Sequence, residues 1–252
     1  MLETIEGRKI LLSARVGSPN YNLHDSTSDQ DWKYLLLPTF DDLYGQKFFS
    51  SAQTSPEVDY TVHDIRRFAE LILKGNPYFL EILFSQEVVV HPQHVELGQK
   101  LLSRKEALAQ LNRPGLFRNC IGTVKEKLKN LRKGTSTTAH LVREFGYDTK
   151  EALHAYRLLD LLRRFVAYGW DFQKALWYEG ETRRRMFEIK KGMVAHADID
   201  QVLLVKLQAA EELSSVYAAY PVDQVTSRWL RQTVREQVRK GLSEELLPSA
   251  KD

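Results

Sequence analysis

The sequence predicts an α+β protein: a small mixed β-sheet core with helices, followed by an all-helical C-terminal domain. Three observations predict it. Apolar runs of strand length, each closed by Gly or Pro, are confined to the first third of the chain. Beyond about residue 95 the apolar residues recur at helical spacing, broken by brief glycine-containing joints. A length of 252 residues suffices for two such parts, each with its own core. The expected division is residues 1–95 as the mixed domain and residues 96–252 as the helical one.

In chain order, Lys9 to Ala14 and Trp32 to Leu37 read as strands, and Glu57 to Val62 as a third. Between the second and third lies the polar stretch Thr39 to Pro56, with Asp41-Asp42, Gly45 and Ser50-Ser51, which reads as a surface loop. Residues 63–74 switch period, with Ile65, Phe68, Ala69 and Ile72 on one face, and Gly75-Asn76-Pro77 supplies the stop. Further helices are expected over 149–168, 199–219 and 225–241, the last two parted by Pro221. The chain closes on a short polar tail, Pro248 to Asp252.

Hydrophobic residues make up 43% and charged residues 27%, an ordinary globular balance that excludes a disordered chain. Thirty-six Lys and Arg against 33 Asp and Glu give a net charge of +3, too small for nucleic-acid binding over the whole surface. Nucleic-acid contact therefore requires a local patch. Two runs qualify: Arg183-Arg184-Arg185 with Lys190-Lys191, and Arg228, Arg231, Arg235, Arg239 with Lys240. Such runs are more often simply the solvated face of a helix. No apolar run reaches the roughly 18 residues needed to cross a bilayer, and the first residues lack the character of a signal peptide. Cys120 is the single cysteine, which suits a reducing compartment. The expectation is a cytoplasmic protein without a membrane partner; oligomeric state is not legible.

The residues with the clearest chemistry lie between the first two strands. Gly17-Ser18 forms a turn after one strand, and Asp29-Gln30-Asp31 opens the next. Strand alternation puts Asp29 and Asp31 on one face, roughly 6.6 Å apart at the backbone, so both can converge on metal ions. Asp59, within Val58-Asp59-Tyr60, is the natural third ligand. Phosphoryl transfer needs charge neutralisation on a triphosphate and a well-placed nucleophile, which two magnesium ions bridged by carboxylates supply. Gly17 permits close approach of backbone to phosphate, and the Ser18 hydroxyl with nearby N–H groups can hold β and γ phosphates.

This pattern resembles the nucleotidyltransferase superfamily that includes DNA polymerase beta, whose signature is Gly-Ser, two spaced acids and a later third. It is most similar to a little-characterised branch of bacteria and their phages. Three further segments carry that likeness: Lys74-Gly75-Asn76-Pro77 with Leu80-Glu81, Gly146-Tyr147-Asp148-Thr149-Lys150, and Ala152-Leu153-His154 running to Arg157-Leu158-Leu159. Together they span about residues 10 to 165. Two departures are Gln30, where an apolar inward-facing residue is usual, and the turn Pro19 to Leu23, which is poorer in glycine.

In the segment from Gly146, Asp148 is expected to cap a helix and Glu151 to return the bond. Lys150, His154 and Arg157 then share one face, opposite Ala152, Ala155, Leu159, Leu162 and Val166. That basic face is expected to contact triphosphate or an acceptor phosphate; the rival reading is a solvated or salt-bridged stripe. Asn76 and Glu81 are weak substrate-binding candidates with strong rivals in turn and capping chemistry, and Tyr21 is a weak candidate for stacking on a base or sugar.

The expected activity is transfer of a nucleoside monophosphate from an NTP, with magnesium or manganese as cofactor and pyrophosphate as product. The acceptor is open among RNA, including a tRNA end, a protein side chain and a small molecule. The alternative is a catalytically silent nucleotide-binding or regulatory protein of the same fold, which Gln30 and the altered turn favour.

Overall fold

The computed structural model describes residues 3–26, 28–53 and 59–247. In chain order the elements are β1 (Thr4–Ile5), β2 (Arg8–Val16), β3 (Asp31–Leu36), α1 (Phe40–Tyr44), β4 (Ser50–Gln53), β5 (Asp59–Asp64), α2 (Ile65–Leu73), α3 (Pro77–Leu83), β6 (Val88–Val90), α4 (Val95–Ser103) and α5 (Lys105–Gln110). There follow α6 (Arg113–Asn130), α7 (Ala139–Phe145), α8 (Thr149–Ala167), α9 (Phe172–Leu176), α10 (Gly180–Lys190), α11 (His196–Glu211), α12 (Ser214–Ala218) and α13 (Gln224–Leu246). The α+β class read from the sequence is the class observed.

The sheet runs β1-β2-β3-β5-β4, with β6 on the outer side of β2 beyond β1. It is mixed: β2 lies antiparallel to β3, β3 parallel to β5, and β4 antiparallel to β5. Alternation along the strands sorts their side chains onto two faces. Ile10, Leu36 and Val62 form the core of one face, with Tyr34, Tyr60 and Phe49 against them. The opposite face presents Asp31, Lys33 and Leu35 of β3 beside Asp59, Thr61 and His63 of β5. There Lys33 reaches α3 and the His63 ring lies 4.8 Å from that of Phe79.

The chain forms two compact units. The first holds residues 1–20, 24–111 and 222–252; the second holds residues 21–23 and 112–221. The sheet unit thus includes α4, α5 and the final helix α13. Helix α13 is fixed there by Gly241, where a Cβ would lie 2.7 Å from Leu37 Cδ1, and by Lys9–Glu244 at 2.8 Å. The helical unit is built around α8, which packs against α6, α9, α10 and α11.

Several sequence expectations are corrected. The stretch from Thr39 is not simply a loop: Thr39 and Asp42 form a capping box that starts α1, and Ser50–Gln53 pairs along the edge of β5. The helix expected over 199–219 is two helices, α11 and α12. The stop at Gly75, with φ of +72°, is also a start, since the Asn76 side chain accepts the Tyr78 N–H and caps α3. Asp148 caps α8 as expected, but Glu151 pairs with Lys127 at 2.8 Å and does not return the bond. Glu57 and Val58 of the expected third strand, residues 54–56 of the expected loop and the tail at 248–252 lie outside the described residues. Among the described residues no helix is long and apolar enough to cross a membrane.

Candidate functional site

Three strands bring their ends to one row of the sheet. Val16, the last residue of β2, pairs with Asp31, the first of β3, and Asp31 pairs with Asp59, the first of β5. Neighbouring strands are roughly 4.8 Å apart, so Asp31 and Asp59 stand side by side on one face. The ladder continues one step beyond β3, where the Asp59 N–H donates to the Gln30 carbonyl at 3.1 Å. Asp29 lies past the end of β3 and is exposed, as is Gln30.

The turn after β2 closes over this row. Gly17 has φ of +81°, a conformation that disfavours any residue with a Cβ, and a Cβ there would stand 2.8 Å from Asp31 Oδ2. The backbone conformation therefore favours glycine, and a Cβ would in addition make the Asp31 carboxylate shift, at a position expected from the sequence to lie near phosphate. Ser18 opens a 3₁₀ turn over Ser18–Tyr21, held by the Asn20 N–H donating to the Gly17 carbonyl at 3.1 Å. Asn20 is fully buried; its Nδ2 donates to the Glu81 carbonyl and its Oδ1 accepts the Gln86 N–H, both at 3.3 Å. The anchor was not read from the sequence as a site residue, though an Asn inside a Gly-Ser turn is a signal of side-chain-to-backbone bonding.

Glu81 is buried and paired with Lys33, whose Nζ is 3.3 Å from Glu81 Oε1 and donates to the Tyr78 carbonyl at 2.6 Å. Lys33 lies two residues after Asp31, on the same sheet face, and sequence reasoning missed it because it falls inside an apolar run. Burial, reinforced by the charges of Lys33 and Arg67, lowers His63 on this face to a pKa of about 4.

The donor chemistry fits a hard divalent cation: carboxylate oxygens, two of them from neighbouring strands in register, beside a glycine that leaves room for one of them. Among the described residues, however, no group of three or more His, Cys, Asp or Glu side chains is gathered as a metal-holding cluster. Asp31 and Asp59 are brought together; Asp29 is not gathered with them into such a cluster.

Of the residues expected on the basic face of α8, Lys150 is exposed, His154 half-buried and Arg157 buried. The Arg157 guanidinium lies 3.4 Å from the centroid of the Tyr21 ring, which is itself buried. Burial first, then the charges of Arg157, Lys127 and Lys150, hold His154 well below the usual imidazole range. The three are thus not one open stripe: α8 is buried around most of its circumference, including Asp160 and Arg164. The basic run of α10 is likewise occupied. Arg183 donates to the Asn22 carbonyl at 2.7 Å, Lys190 donates to the Leu23 carbonyl at 3.1 Å, Arg184 pairs with Glu181, and Arg185 pairs with Glu188 at 2.9 Å.

No curated protein matches the chain. A family model described as "RNA repair pathway DNA polymerase beta family" (RlaP) matches residues 1–176, a span that holds the glycine turn, the carboxylate row and α8. The likeness to polymerase-beta-type nucleotidyltransferases expected from Gly17-Ser18, Asp29, Asp31 and Asp59 is thereby borne out, and the chain belongs to the RNA repair pathway DNA polymerase beta family.

Proposed function

We propose that the protein is a nucleotidyltransferase that moves a nucleoside monophosphate from an NTP to an acceptor with release of pyrophosphate, and that residues 1–95 carry the chemistry. The observation that carries this reading is the junction of Gly17 with Asp31, and of Asp31 with Asp59, at one row of the sheet. A turn that can cradle phosphate and carboxylates that can grip a cation meet there within a chain of this family.

Asp29, Asp31 and Asp59 are the residues that would hold magnesium or manganese, which when bound supplies charge neutralisation on the triphosphate. Gly17 leaves the backbone of the turn open to phosphate, and Ser18 offers its hydroxyl and N–H. Asn20 fixes that turn to the end of α3. Lys150, exposed at the start of α8, is kept in this reading as a residue for an anionic group, while Arg157 orders Tyr21. His154, neutral at physiological pH, donates or accepts without adding charge. Asn76 and Glu81 act on the scaffold, as a cap and as the partner of Lys33. The family description names an RNA repair pathway and so favours RNA over a protein or small-molecule acceptor; a tRNA end and a cytoplasmic setting are part of the proposal.

The experiment is a pair of incubations with RNA, one with NTP labelled at the α-phosphate and one labelled at the γ-phosphate. Label in RNA from the first alone is the expected outcome. Label from the second alone would replace nucleotidyl transfer by phosphoryl transfer. A catalytically silent nucleotide binder is the second reading, favoured by the exposed Gln30 and by the ungathered third carboxylate. Calorimetric binding of NTP without pyrophosphate release at any acceptor would select it.

A further inference from the structure

Helix α13 carries a charged surface that the proposed chemistry leaves unused. Arg228, Arg231, Arg235 and Arg239 are all exposed. Helical geometry gathers them into one narrow stripe, spaced roughly 4.5–6 Å apart along about 16 Å of axis. The opposite side of α13, through Thr226, Leu230, Thr233, Val234 and Gly241, is buried. The stripe is therefore displayed on a fixed helix.

Among the described residues the four arginines form no ion pair, in contrast to the arginines of α10. The nearest acid on the helix, Glu236, accepts instead from Gln232 at 2.7 Å. Like charges at i, i+3 and i, i+4 cost a helix a few tenths of a kcal/mol per pair, so folding does not explain the stripe. Arginine in place of lysine supplies the planar fork that matches phosphate, and regular spacing suits a polymer of anions. Gln224 and Gln232, beside the arginines, are polar, unlike the apolar anchors of a protein interface. Gly241 packs on Leu37, six residues along from Asp31 and roughly 20 Å away in extended chain. A mononucleotide held at the carboxylate row does not reach that end of α13, whereas a polynucleotide can. The stripe also lies beyond residue 176, outside the matched family segment.

We propose that this arginine stripe binds the phosphate backbone of an RNA strand. That the strand is also the acceptor rests on the nucleotidyltransferase reading; the binding itself does not.

The test uses the full chain and the triple variant Arg231→Gln, Arg235→Gln, Arg239→Gln, with circular dichroism to confirm equal helicity. Anisotropy of a labelled single-stranded RNA of about 20 nucleotides is followed over a salt series, where each phosphate contact contributes roughly 0.7 to the slope of log affinity against log salt. The expected result is at least a tenfold loss of affinity in the variant and a slope smaller by about 2, three contacts' worth, with calorimetric NTP binding unchanged. Equal affinity and slope in the two proteins would overturn the proposal. So would a polyaspartate probe that binds the wild type more tightly than RNA and is lost in the variant, which assigns the stripe to an acidic protein. Absence of nucleotidyl transfer beside the expected change in slope would remove the catalytic reading and leave the stripe assigned.

Discussion

Gly17 meets two demands at once, a left-handed backbone and a carboxylate oxygen where a methyl would go. Gly17→Ala is expected to lose about 1–2 kcal/mol of stability by urea denaturation, and to lower nucleotidyl transfer more than tenfold by displacing Asp31. Turnover at the wild-type rate in that variant would show that the position of Asp31 is immaterial. The Lys33–Glu81 pair, almost out of solvent, is expected to cost about 3 kcal/mol when Glu81→Gln strands the lysine. Lys33→Met with Glu81→Leu is expected to lose less than the sum of the single changes, measured as a double-mutant cycle. At this scale the sequence was informative where chemistry sits in consecutive residues, as in Gly17-Ser18 and Asp29-Gln30-Asp31. It was silent where partners are far apart in the chain: nothing near Lys33 announces a carboxylate 48 residues on, nor near Tyr21 the guanidinium of Arg157.

Among elements, β2, β3, α2, α8 and α13 were legible because period and caps agree. Helix α1 and strand β4 were not, since each is short and exists through a single device: a capping box for one, pairing with β5 for the other. The face of α8 was misread for a different reason. A helix at the centre of a bundle buries charged positions when partners are supplied, and Arg164 donates to the carbonyls of Lys174, Ala175 and Trp177. Amphipathicity alone cannot foresee that. Helix α13 yields a prediction that runs against propensity. Alanine normally stabilises a helix interior over glycine by about 1 kcal/mol, yet at position 241 a Cβ would press on Leu37 at 2.7 Å. Gly241→Ala is therefore expected to lower the thermal midpoint; a raised midpoint would mean that α13 does not seat closely on the sheet unit.

For the whole molecule, His63 and Asp42 illustrate two sources of acid sensitivity, a histidine buried neutral and a carboxylate held ionised. His63 is held neutral in the folded protein down to about 4, against 6.5 ordinarily. The unfolded chain therefore binds the proton first, and stability falls as pH drops from 6.5 toward 4, then levels. Asp42, lowered from 3.8 to about 2 chiefly by its hydrogen bond to Arg8, contributes stability above 3.8 that is lost as pH falls toward 2. Urea titrations across both windows are expected to show two declines, and His63→Asn is expected to make the upper one shallower, the slope that remains belonging to His94 and His154, which burial also holds below the usual imidazole range. The overall plan, a mixed sheet first and helices after, was readable from the switch in hydrophobic period. The return of α13 to the sheet unit was not, because Gly241 against Leu37 and Glu244 against Lys9 join the two ends of the chain.

We infer that Asp31 and Asp59, side by side beneath the Gly17 turn, perform nucleotidyl transfer. The most direct test is pyrophosphate release from NTP and RNA by Asp31→Asn and Asp59→Asn variants whose urea midpoints match the wild type. A loss of rate of at least about a hundredfold in each is expected for removal of a charge-stabilising group. Release at the wild-type rate by either folded variant would contradict it.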